Sequence, residues 1–130
     1  MTVMWSTRAA VPASVVTLLS PTRLNVSGDV FAFSDSGNVQ TLHRVHLTGL
    51  APATTYAYTV GDGAGAQSRS YSFTTHPADA SAWQPTLAIY GDMGTSSNAQ
   101  ATMPLLLADA ASGAIDAVVH IGDAVSALAG

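Results

Sequence analysis

Cysteine is absent from the 130 residues, which excludes disulfides and thiolate metal ligands and leaves the redox compartment open. Lysine and glutamate are absent too. Every fixed positive charge is an arginine (Arg8, Arg23, Arg44 and Arg69), set against eight aspartates. Charged residues make up only 9% of the chain, against about a quarter in ordinary soluble domains. A net charge of −4 with scattered arginines offers no basic stripe, so nucleic acid is not expected as a partner. No apolar run reaches the roughly 20 residues of a membrane-spanning helix, so no membrane association is expected. The opening Met1-Thr2-Val3-Met4-Trp5-Ser6-Thr7 has neither the basic start nor the apolar stretch of a secretion signal, and reads as a strand already under way.

What is present in the first 75 or so residues is β structure. Short stretches rich in Val, Thr, Tyr and Phe recur between turn signals. They predict strands at Thr2–Thr7, Ser14–Leu19, Val30–Ser34, Val39–Thr48, Thr55–Gly61 and Arg69–Thr75. Alternation is clearest in Tyr56-Ala57-Tyr58-Thr59-Val60, and turns are marked by Ser34-Asp35-Ser36-Gly37-Asn38 and Gly61-Asp62-Gly63-Ala64-Gly65. Strands at this spacing predict a β-sandwich of the immunoglobulin or fibronectin III kind over residues 1–76. Trp5, Trp83, Tyr56, Tyr58, Tyr71 and Phe73 read as sandwich core and interdomain packing. His43 and His46, three apart on one strand, fall on opposite faces and cannot share a metal. Asn25-Val26-Ser27 fits the glycosylation acceptor pattern.

Residues 77–85 are bounded by prolines and lack periodicity, as a linker does. From residue 86 to 130 the character changes. Leu87-Ala88-Ile89-Tyr90-Gly91-Asp92 and Ala117-Val118-Val119-His120-Ile121-Gly122-Asp123 are short apolar runs of the kind that fill buried parallel strands, and each ends in Gly-Asp. A segment of helical composition separates them. Because Pro104 is awkward inside a helix, the helix is placed from Thr102 as N-cap to about Ser112, with Gly113 as its C-terminal cap and a longer kinked helix as the alternative. The unit is a partial α/β fold, a β-α-β crossover that delivers Asp92 and Asp123 to one edge of a sheet. Two carboxylates brought together there repel unless a cation sits between them, so a hard metal held by Asp92 and Asp123 is the natural expectation. His120, just before the second Gly-Asp, reads as a histidine satisfied by a hydrogen bond within its sheet face. Thr95, Ser96, Ser97 and Asn98 read as loop and helix-entry residues, with backbone N–H groups lining a phosphate site as the alternative.

Met1 to Thr7, the stretch His43 to Tyr58 with Leu47-Thr48-Gly49-Leu50-Ala51-Pro52, and Tyr71-Ser72-Phe73-Thr74-Thr75 resemble the N-terminal domain of purple acid phosphatases. Tyr90-Gly91-Asp92-Met93-Gly94 through Ile115-Asp116 to Gly122-Asp123 resembles the start of their calcineurin-like metallophosphoesterase domain. The resemblance implies a fibronectin-like sandwich followed by a four-layer catalytic domain. It also implies acid phosphatase activity on phosphate monoesters at a dinuclear centre of Fe(III) with Fe, Zn or Mn. Asp92 would be a ligand of the trivalent iron and Asp123 the bridging carboxylate. Members are commonly secreted or vacuolar.

The chain departs from that pattern in two ways. Ser126 stands where the family places the tyrosinate of Gly-Asp-x-x-Tyr, and Gly94 where related phosphoesterases place a histidine. The later asparagine and histidine motifs lie beyond residue 130. The expectation is a shortened chain that does not hydrolyse phosphate esters by itself. The rival is a non-catalytic fibronectin-like interaction module, with self-association through exposed sheet surface as its property.

Overall fold

A computed structural model describes residues 1–35, 37–94 and 97–122, and divides the chain into two compact units, Met1–Ala80 and Ser81–Gly130. In the first unit seven strands follow in order: β1 (Thr2–Thr7), β2 (Val15–Ser20), β3 (Leu24–Ser27), β4 (Asp29–Asp35), β5 (Asn38–His46), β6 (Thr55–Gly61) and β7 (Tyr71–Thr74). They form a three-stranded sheet in the order β1-β5-β4 and a four-stranded sheet in the order β3-β2-β6-β7, antiparallel throughout. The fold is a β-sandwich. Its core joins Val3, Val45 and Leu47 from the first sheet and its flank to Val16, Leu18 and Tyr56 from the second, all buried.

Period-two alternation puts these residues inside, since successive side chains on a strand take opposite faces. On β5, His43 and Val45 are buried while His46 is exposed and meets the Thr2 hydroxyl at 2.8 Å. Tyr56 stacks on Phe73, and its hydroxyl accepts the Ala51 N–H at 2.9 Å, pinning the turn before β6 as the tyrosine corner of sandwich domains does. Tyr71 at 40% and Trp83 at 46% exposure are less enclosed than packing residues should be.

The structure adds one strand to the sequence expectation. β3 pairs with β2 in the register Val16↔Val26, an edge strand that carries the glycosylation triplet. An edge strand of four residues with one half-buried apolar side chain has no alternation to read.

The second unit is small. β8 (Leu87–Tyr90) and β9 (Ala117–His120) pair in parallel, joined by α1 (Ser97–Ser112). The helix begins five residues before the expected Thr102 and takes Pro104 into its interior, so the longer of the two alternatives is the one adopted. Its end is as expected, with Gly113 at φ 74° just after the last turn. Among the described residues of this unit only Ala99 is a buried apolar side chain.

Candidate functional site

The parallel register Tyr90↔His120 carries both strands to the same edge together. The pairing then runs past the strand ends. The Ile121 N–H donates to the Tyr90 carbonyl and the Asp92 N–H donates to the Gly122 carbonyl, each at 2.9 Å. Asp92 and Gly122 are therefore bonded neighbours across the ladder, and Asp123 is the next residue in sequence after Gly122. Asp123 itself, like Ser126, lies outside the described residues.

Both glycines have physical reasons to be there. A Cβ on Gly91 would stand 3.0 Å from the Ile121 Cγ1 and 3.5 Å from the Gly122 carbonyl oxygen. Gly122 has φ 123°, where side chains are rarely tolerated. Asp92 itself has φ 48°, a left-handed conformation that aspartate accepts better than most residues because its short polar side chain can bond locally. Residues in sparsely populated backbone regions cluster at functional sites, and the carboxyl edge of a parallel pair is where open α/β sheets bind ligands.

Beside this edge lies a shallow cleft of about 210 Å³ lined by Tyr90, Asp92, Met93, Ala99 and Thr102. His120 packs edge-on against Tyr90, ring centroids 5.0 Å apart. Its Nε2 is buried and has no hydrogen-bond partner among the described residues. Asp116 works at the other end of the pair, its carboxylate accepting the Thr86 N–H at 2.8 Å. It staples the start of β8 and stands apart from Asp92.

A hard cation fits the donor chemistry of this edge only in part. A carboxylate at a strand end is the right kind of ligand. Among the described residues, however, no three His, Asp or Glu side chains gather into a metal-holding group.

Fold and site together define a class: a β-sandwich followed by a parallel β-α-β unit whose strand ends carry Gly-Asp. Residues 1–75 match the family described as "Purple acid Phosphatase, N-terminal domain". The chain belongs to the purple acid phosphatase family. It is 37% identical to acid phosphatase type 7 of Mus musculus over 129 residues, which is 95% of this chain and 28% of that protein. The Homo sapiens protein of the same name is 36% identical over 129 residues, again 95% and 28%. That of Danio rerio is 34% identical over 108 residues, 74% of this chain and 24% of its own length. The chain thus spans 28% or less of the length of the curated relatives it matches. No solved structure matches it.

Proposed function

We propose that residues 86–130 form the opening β-α-β of a metallophosphoesterase domain, and that Asp92 and Asp123 are two of the ligands of a dinuclear metal centre for phosphomonoester hydrolysis. One observation carries this reading: the alignment with acid phosphatase type 7, 37% identical, covers 95% of the chain and so runs well past the sandwich. The Asp92 N–H to Gly122 carbonyl bond supports it, because it joins the backbones on which the two carboxylates hang.

When bound, two metals in such a centre fix the ester, stabilise charge on the phosphoryl group and supply an activated water. This chain's own contribution is to hold and orient. Asp92 offers a hard oxygen donor on a backbone held by its bond to the Gly122 carbonyl, Asp123 follows Gly122 in sequence, and Thr102 and Met93 wall the adjacent cleft. Two carboxylates fall short of a full shell, so a chain of these 130 residues binds a hard cation weakly and does not turn over substrate.

Manganese titration tests this reading by NMR. Mn²⁺ in roughly the millimolar range typical of sites with few charged oxygens should broaden the amide signals of Gly91–Gly94 and Gly122 first. Asp92→Ala and Asp123→Ala should each abolish that local broadening. Uniform broadening, or local broadening indifferent to both substitutions, would refute the ligand assignment. Turnover of p-nitrophenyl phosphate near pH 5 by the same chain would refute its incompleteness.

A further inference from the structure

The sandwich encloses a histidine that the phosphatase reading does not use. His43 is completely buried, its ring stacked on the Trp5 indole at 4.8 Å and 9°. Both ring nitrogens meet hydroxyls: Nδ1 lies 2.8 Å from the Ser14 Oγ, and Nε2 lies 3.1 Å from the Thr7 Oγ1. Each hydroxyl has a second contact whose direction is fixed, because a carbonyl oxygen only accepts. Ser14 donates to the Asp29 carbonyl at 2.7 Å, and Thr7 donates to the Ala9 carbonyl at 2.9 Å.

Counting hydrogens decides which state of the ring completes this arrangement. Four contacts need four hydrogens. The two hydroxyls supply two, and a neutral imidazole supplies one more, so one contact is left without a hydrogen. An imidazolium supplies two, and all four are made. In the neutral state the contact to yield is the Thr7 bond to Ala9. The Thr7 hydroxyl then turns to donate to Nε2, while the Ala9 carbonyl keeps a longer bond from the Thr41 hydroxyl at 3.3 Å.

We propose that His43 is a proton-binding site built into the sandwich, and that its protonation turns the Thr7 hydroxyl onto the Ala9 carbonyl, fastening the loop between β1 and β2. The ring face toward Trp5 also suits a cation, since the indole quadrupole attracts positive charge.

Among the described residues the polar partners of the ring are hydroxyls, with no carboxylate or guanidinium bonded to it. β1 turns Trp5 and Thr7 toward the ring, the segment leading into β2 turns Ser14, and β4 sets Val30 opposite in register. β6 has only Tyr56 and Tyr58 as titratable residues. Of the charged groups on neighbouring segments, Asp29 and Arg44 pair with each other at 2.8 Å on the solvent side. Asp62 is held by three N–H groups of its own loop, and Arg8 is exposed. Among the described residues no ion pair reaches His43. Desolvation of the buried ring opposes protonation, and the two hydroxyl acceptors counter it by bonding the charged form.

The test is a pH titration of the ring nitrogens of His43 by ¹⁵N NMR on the 130-residue chain. Both nitrogens should take the imidazolium shift while the backbone spectrum remains that of the folded sandwich. Thr7→Val, which keeps the shape and removes the hydroxyl, should lower the His43 pKa by about one unit, the cation having lost an acceptor. Thr7→Ser should restore it. A ring that stays neutral until the sandwich unfolds would overturn the proposal. So would a pKa indifferent to Thr7→Val, or lowered equally by Thr7→Ser.

Discussion

Gly122 and His43 are the two residues whose energetics the backbone and the burial make most predictable. Among the described residues a Cβ on Gly122 meets no atom within 4 Å, so the cost of Gly122→Ala is conformational, set by φ 123°. That cost is about 1–3 kcal/mol. It should show as faster hydrogen exchange of the Asp92 amide, which bonds to the Gly122 carbonyl. His43 gives a pH dependence of definite sign. Burial holds its pKa below the ordinary 6.5. A base depressed in the folded state contributes stability that is full above 6.5 and is lost as pH falls through the lower folded value. The urea midpoint followed by tryptophan fluorescence should therefore drop across that window, and the drop should flatten in His43→Gln. A midpoint that rises on acidification there would contradict this. The network around His43 could not be read from sequence. Its hydroxyl partners Ser14 and Thr7 lie 29 and 36 residues away, and only strand pairing brings them to one ring.

At the level of elements, legibility followed how strongly each segment's pattern constrains its neighbours. β1 and β6 were readable to the residue because alternation and turn signals agreed. β3 was invisible because an edge strand buries little and so carries little pattern. The helix is legible in type and at its end, while Pro104 masks its start. Proline disfavours a helix interior, and α1 tolerates Pro104 there all the same. Relief of that cost is measurable. Pro104→Ala restores a backbone donor toward the Gln100 carbonyl and should stabilise α1 by up to about 3 kcal/mol. Stronger helical circular dichroism and greater amide protection across 100–108 would show it; unchanged protection would mean that the proline costs nothing in place. Within the candidate site the two strands and the tight glycine at Gly91 were legible, because a short apolar run ending in a glycine leaves a local signature that needs no tertiary context.

For the whole molecule, the two units are unequally supported. The sandwich holds the connected apolar core, whereas the second unit leaves Leu105 at 67% and Ile121 at 71% exposure and buries only Ala99 among its described apolar residues. Burial of apolar area is the main stabilising term in folding, so the second unit should open far more readily than the first. Limited proteolysis should cut first within residues 77–122 and leave a resistant piece carrying β1 to β7. Equal resistance of both units would contradict the inequality read from their burial. The same inequality explains why the fold of residues 1–76 could be argued from packing, while the role of residues 86–130 had to be argued from the chemistry of two strand ends.

The close fit at those strand ends also constrains how this sequence can drift. Gly91 is hemmed in by Ile121, and Gly122 is fixed by its backbone angle, whether or not a metal is ever bound. On the proposed reading the aspartates answer to chemistry, while the glycines answer to geometry in any case. If the two carboxylates serve a metal as proposed, Asp92 and Asp123 would be free to erode first in a descendant that no longer needs it, leaving paired glycines standing without their carboxylates.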